Sequence, residues 1–408
     1  MKILVCTGSY PTLINIKEAA DVVSYSISSK LNSLNHQVDL QVINFENYIN
    51  ENDDLPMDTK SLFKTIHRTV IVKKTNIFDK IINLFSFFIP KNNIPNKIFF
   101  DKDKFKEYDL ILPIWSEIAT RVASHLPNKK VAYYGNLEFL VKKSNISLDF
   151  YLNKNFKSFF RYLYMCIFGE LEKLESLHHL KKYSHVFNVS ALDARILSQL
   201  GVKSSYIQMT WDKNNKEINN LNKISTNTSQ YRVCCSVGKL SATGNTFSFL
   251  TLLDEIIPEI ESQGLNNIFK LQIYGGGEFR YESIKNKLIN KGVEVMGFVD
   301  DLDSELLNSA ISIVPHNRFS HKVSHTRVLH NWSLGVPLIL FRDSAGPMPE
   351  LVHNYNCLLA SSVKEFVKYM ILICEDNSLG QTLAENGLVT LKNNFSSMKV
   401  TNKILSKI

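Results

Sequence analysis

Residues Ser320 to Leu359 read SHKVSHTRVLHNWSLGVPLILFRDSAGPMPELVHNYNCLL. Val328, Leu329 and Trp332 recur at helical spacing, and Gly335 with Pro337 stops that helix. Pro337 to Phe341 is a short continuous apolar run, the pattern of a parallel strand covered on both faces. Ser344-Ala-Gly346-Pro347 then predicts a new helix, with Glu350 in its first turn and Gly346 near free N–H groups that can face an anion. The loops flanking such a strand lie where open α/β sheets bind ligands. His325, Arg327 and His330 crowd the same place, with Lys322 beside them. Arg327 can neutralise phosphate, and His330 can donate to a hydroxyl or a phosphate oxygen. The stretch therefore points to an α/β sheet and a phosphorylated ligand.

The same alternation runs outward in both directions. Strand Lys2–Cys6, a helix from about Lys17 to Leu34 and strand Val38–Val42 make a β-α-β opening. Tyr108–Pro113, Lys130–Tyr134 and His185–Val189 read as further strands, and Phe156–Leu180 as a long helix. Ser190 caps a helix that Gly201 closes. Residues 213–230 are rich in Asn, Lys, Ser and Thr and read as a linker. The pattern restarts with strand Tyr231–Val237, a helix to about Gln263, strand Phe269–Tyr274 and strand Ala310–Pro315. At 408 residues, two domains are expected, because single cores rarely grow past about 250–300 residues. The boundaries read as 1–212, linker 213–230, second domain 231–395 and a tail, 396–408. Two Rossmann-like domains facing a central cleft would place a ligand at the sheet ends.

The formal net charge of +8 is uneven, with most of the excess between Lys60 and Lys106. There lysines alternate with Phe78, Phe85, Phe87, Phe88 and Phe99. Segment 60–106 is either a basic surface over a core helix or an interfacial segment touching an anionic membrane. Nucleic acid is disfavoured, since no binding motif accompanies the charge. The six cysteines lack CxxC or Cys/His ligand spacing and read as buried apolar residues in a reducing compartment. No apolar run reaches the roughly 18–20 residues of a membrane span, and no signal peptide is seen. A cytoplasmic protein, peripheral at most on the inner face of the cytoplasmic membrane, is expected.

Several strand ends carry loop motifs. Gly238-Lys239 follows one strand, where backbone N–H groups can hold phosphate and Lys239 supplies a point charge. Tyr274-Gly275-Gly-Gly277 ends another and permits close backbone approach, or makes a tight turn. It is not GxGxxG, so no dinucleotide fingerprint is present. Gly297-Phe298-Val299 can frame a flat base, with an Asp cap following. In the first half Asn136 and Glu138 follow a strand and can point toward an acceptor hydroxyl. No HExxH, Walker loop or Ser-His-Asp arrangement appears, and no metal site is expected.

In order, Val237-Gly-Lys-Leu, Tyr274-Gly-Gly-Gly, Gly297-Phe-Val-Asp-Asp-Leu302, Leu329 to Pro337 and Glu350 to Leu359 resemble the C-terminal domain of family-4-like glycosyltransferases of the GT-B fold. The resemblance spans about 231–400 and is looser in the first half. It implies sugar transfer from a nucleotide diphosphate donor to a hydroxyl, usually with retention and without metal or other cofactor. The donor would lie on the second domain and the acceptor on the first. Lys239 matches the family's basic residue after the first strand of that domain. Lys239 and Arg327 are then the expected catalytic cations. Gly238, Tyr274, Gly275, Phe298, Val299, His325, His330 and Gly346 are expected to bind donor, and Asn136 and Glu138 acceptor. Where the family carries E-x7-E, this chain has Lys322 and His330, and Thr243 replaces a second phosphate lysine. A glycan or lipid-linked acceptor in bacterial surface polysaccharide synthesis is the expected use. The alternatives are a non-catalytic GT-B scaffold and a nucleotide-sugar epimerase.

Overall fold

The structure is a computed structural model and describes residues 1–14, 16, 18–45, 55–71, 105–212, 230–316 and 322–408. Lys17, the linker up to residue 229, Ser320 and most of the basic aromatic segment lie outside the described residues. The chain forms two units, Met1–Asp212 with Phe395–Ile408, and Lys213–Asn394.

The first unit holds strands β1 (Lys2–Thr7), β2 (Gln37–Phe45), β3 (Ile66–Ile71), β4 (Leu110–Pro113), β5 (Val131–Tyr134), β6 (His185–Asn188) and β7 (Ser204–Tyr206). They pair in parallel as β3-β2-β1-β4 and β5-β6-β7. Bridges Ile111–Lys130 and Ile114–Tyr133 join the two sets, so the order runs 3-2-1-4-5-6-7. Ile3, Leu4 and Val5 have no exposure, as expected for a strand sandwiched between helical layers. The helix after β1 begins at Ala19, where Glu18 and Asp21 form a capping box. The described part of the basic segment corrects one expectation. Residues 66–71 are a sheet strand beside β2, not the surface of a helix. The strand stands at the end of the described sheet order, and the adjacent His67 and Arg68 suit an edge.

The residues expected as a C-terminal tail also differ. Ser397–Leu405 is a helix capped by Ser396, and it packs on the Ala19–Ser33 helix. Trp211 donates its N–H to the Phe395 carbonyl at 2.7 Å, and Ser397 donates to Asp212 at 3.0 Å. These bonds tie the chain's end into the first unit.

The second unit repeats the plan with β8 (Tyr231–Ser236), β9 (Phe269–Tyr274), β10 (Glu294–Gly297), β11 (Ile311–Val314), β12 (Leu338–Phe341) and β13 (Leu358–Ala360). The order β10-β9-β8-β11-β12-β13, all parallel, is again 3-2-1-4-5-6 counted from the unit's first strand. This is the doubly wound order, whose direction reverses between β8 and β11.

The Thr326–Leu334 helix ends at Gly335 in the left-handed region (φ 69°), and β12 is fully buried, as the sequence predicts. Trp332 anchors the unit: its ring has no exposure and its Nε1 donates to the Asn356 carbonyl at 3.0 Å. A Cβ at Gly387 would lie 2.2 Å from Trp332 Cδ1, so that helix position must remain glycine for the ring to fit.

The helix expected after Gly346 does not form. Arg342–Ala345 is a single 3₁₀ turn, and turns follow it. Pro347 and Pro349 lack two of the donors a helix would use. The buried Asn356 side chain takes further backbone groups, accepting from Val352 N–H (2.9 Å) and donating to the Glu350 carbonyl (2.8 Å). Gly346 and Glu350 therefore do not sit at a helix N-terminus.

Candidate functional site

In the second unit the sheet order reverses between β8 and β11, and most of the expected side chains gather at the loops leaving those strands. Gly238, after β8, has φ 103°, a conformation open to glycine. Gly275, after β9, lies so close that a Cβ there would be 1.8 Å from the Gly238 carbonyl oxygen. Leu240 N–H bonds the Gly276 carbonyl (3.1 Å), and Gly275 N–H bonds the Gly297 carbonyl (2.8 Å). Three strand-end loops are thus laced backbone to backbone. Phe298, 76% exposed, is 3.7 Å from the Cβ position of Gly276, and Val299 is half-buried beyond it.

Arg327 enters from the first turn of the Thr326–Leu334 helix. Its Nη2 donates to Asn245 Oδ1, and Asn245 in turn donates to the Lys239 carbonyl at 2.9 Å. Arg327 Nη1 is buried with no partner among the described residues. A buried donor of a cation left unmatched is costly unless an anion completes it. Burial draws the guanidinium down to about 10, so it stays charged at neutral pH. His325, also buried, stacks edge-on with His316 at 5.0 Å. Desolvation, then His316, Arg327 and Lys322, hold its pKa well below the usual value. His316 reaches to 3.5 Å from the Cβ position of Gly244. Ser324 donates to the Pro347 carbonyl (3.2 Å), bringing the Gly346 turn to this loop. Lys239 is exposed at the rim.

Two expected residues sit differently. The Tyr274 ring has no exposure, and its hydroxyl donates to Gln272 (2.8 Å) while accepting from Arg232 (3.0 Å). The phenol is part of the sheet's own network, which leaves the backbone as what this position offers to a loop ligand. His330 Nε2 lies 2.6 Å from Asp303 Oδ1, on the Leu302–Leu307 helix. A carboxylate thus stands beside this histidine.

Sequence reasoning missed Arg280 and His316. Arg280 Nη1 donates to Thr243 Oγ1 at 3.2 Å, bringing a cation to the start of the helix after β8. The available signal was its place just after Gly275–Gly277, three residues beyond a strand-end loop.

Comparison with known proteins bears on this second unit and on the fold. Residues 231–376 match the sequence model of glycosyl transferases group 1. The match covers the second unit only, so it is this unit that is similar to the family. No curated protein sequence matches it. Among solved structures it is similar to HepE of Anabaena in complex with UDP and glucose (13% identity, TM-score 0.63, covering 100% of this chain and 98% of that one). It is also similar to sucrose-phosphate synthase of Thermosynechococcus elongatus (12%, TM-score 0.64, 100% and 98%). The lipopolysaccharide outer core galactosyltransferase WaaB is a third (12%, TM-score 0.57, 100% of both chains). At such identities the likeness establishes the fold, which is GT-B.

The first unit holds a second polar centre. Glu138 opens the Glu138–Asn153 helix just after β5, with Asn136 two residues earlier. Glu117 opens the helix after β4, accepts from Arg121 Nε at 2.6 Å and also accepts from the Tyr134 hydroxyl. Crowding of the exposed Glu138 carboxyl by protein, then repulsion from Glu117, raises it to about 7, while Arg121 opposes the shift. The folded state then binds the proton more tightly than the unfolded chain. The stabilisation from this group is full below its ordinary value of 4.5 and is lost as pH rises through about 7. Glu138→Gln is expected to raise the melting temperature at pH 8.5 and leave it nearly unchanged at pH 4. Equal shifts at both pH values in thermal scans would contradict this.

Proposed function

We propose that this protein transfers a sugar from a nucleotide diphosphate sugar to a hydroxyl of a glycan or lipid-linked acceptor. The observation that carries the reading is the cluster of basic side chains at the loops leaving the sheet: Arg327 with an open buried donor, Arg280 and Lys239, with His325 beside them. In the reaction the bond from the sugar's C1 to the diphosphate oxygen breaks, the acceptor oxygen bonds C1, and the acceptor hydroxyl's proton passes to the departing phosphate oxygen. Negative charge grows on the departing phosphate oxygen, where preorganised donors count most. These residues would take that charge without a metal ion. HepE was solved with UDP and glucose, and WaaB is a lipopolysaccharide galactosyltransferase. The first is in keeping with a nucleotide-sugar donor, which would lie on the second unit, and the second with a role in bacterial surface polysaccharide assembly. Asn136 and Glu138 would meet the acceptor, and the anomeric configuration would be retained. The place of work would be the cytoplasmic face of the membrane. No helix among the described residues is long and apolar enough to cross it.

The test is calorimetry and product analysis with a panel of nucleotide sugars, with and without EDTA, followed by NMR of the product's anomeric carbon. Binding and turnover that survive EDTA are expected. Lys322 and His330 at the family's carboxylate positions favour a second reading, a non-catalytic partner of an active transferase. Absence of any nucleotide-sugar binding would select it. Conversion of donor to its epimer without acceptor would instead indicate an epimerase.

A further inference from the structure

The Phe156–Leu180 helix turns its apolar side outward. Ser158 and Met165 are buried, and this side packs against the Glu138–Asn153 helix. On the opposite side Phe156 (78%), Phe159 (44%), Phe160 (45%), Leu163 (40%), Tyr164 (37%) and Ile167 (58%) are exposed. At 3.6 residues per turn these six span an arc of about 140°, wider than the two-position seam of a coiled coil. A soluble helix ordinarily shows the reverse arrangement. Single exposed apolar residues need no explanation, but a contiguous face of this kind does.

The charges around the face are of one sign. Residues 156–168 contain Lys157 and Arg161 and no carboxylate, and Lys154 precedes them. Among the described residues neither Lys154 nor Lys157 pairs with an acid, while exposed Arg161 pairs with Asp149 at 3.1 Å. The first carboxylate on the helix is Glu170, already held by Lys173 at 2.9 Å. Aromatic and aliphatic side chains on a convex face, edged by lysines, fit the headgroup–acyl boundary of an anionic bilayer.

We propose that the N-terminal half of this helix is a docking surface that lies in an anionic membrane. The inference deepens the reading of a lipid-side acceptor, but it rests on residues outside the basic segment 60–106 and remote from the donor loops in sequence. The experiment is co-sedimentation of the full chain with vesicles of phosphatidylcholine alone or with one quarter phosphatidylglycerol. It is run beside F156S/F160S/I167S and K154E/K157E variants with unchanged melting temperatures. Wild type is expected to bind the anionic vesicles at least tenfold better than neutral ones. The serine variant is expected to lose at least tenfold, and the glutamate variant to lose the preference for anionic lipid. Nucleotide-sugar binding should be equal in all three, so failure of the donor reading stays distinguishable. A Phe160→Trp reporter should shift its emission to the blue when anionic vesicles are added. Emission already blue without vesicles would show the face covered by the chain itself and overturn the proposal. So would a wild-type dimer that the serine variant splits, or equal sedimentation of all variants.

Discussion

Arg327→Ala is expected to lower kcat by about 10²–10³-fold, the usual cost of removing one preorganised donor at a developing oxyanion. The guanidinium is fixed before any ligand arrives, through Asn245 to the Lys239 carbonyl. Its Nη1 has no partner among the described residues, so its interaction with phosphate costs little reorganisation. Ground-state binding should weaken less than kcat falls, because the charge it answers grows as the C1–O bond breaks. Arg327→Lys keeps the charge but loses the fork to Asn245, and should recover only part of the rate. Steady-state kinetics on variants with native-like melting curves decide the matter. Turnover within threefold of wild type in Arg327→Ala would remove this residue from the donor site.

How far the sequence carried this picture depends on what each signal was made of. The helix from Phe156 to Leu180 and strand β9 were legible to the residue, because apolar period and bounding residues agree there. The strand-end loops were legible as an ordered set, and the backbone bonds among Gly238, Gly275 and Gly297 show why they belong together. The helix after Gly346 was misread because its pattern is helical while Asn356, several residues downstream, claims the backbone groups a helix needs. Strand β3 hid inside a charge run, and the final helix hid because its partner, Ala19–Ser33, lies at the other end of the chain. The Arg280–Thr243 and His330–Asp303 contacts were invisible for the same reason. Each depends on a contact between elements separated in sequence, and no local spacing encodes it.

Gly275→Ala should be the most damaging change of a single atom. The new Cβ would stand 1.8 Å from the Gly238 carbonyl oxygen, and both partners are backbone, so no side chain can swing aside. The loops must part by more than an ångström, breaking Gly275 N–H to Gly297 or moving the turn that carries Lys239. A displacement of about 1 Å in a positioned group costs about 10²-fold in rate, and that is the expected fall in kcat/KM. Overpacking adds a stability loss of about 1–3 kcal/mol, readable by denaturant titration. Gly277→Ala provides the contrast. Its φ of 78° strains an alanine, yet nothing lies within 4 Å of the added atom. That variant should lose stability by about 1–2 kcal/mol while keeping most of its donor affinity. If the two glycine variants lose donor affinity equally, loop strain alone matters and the close approach of Gly275 to Gly238 has no part in holding the donor. If only Gly275→Ala loses it, the contact that the sequence displays as a run of three glycines is what sets Lys239 in place.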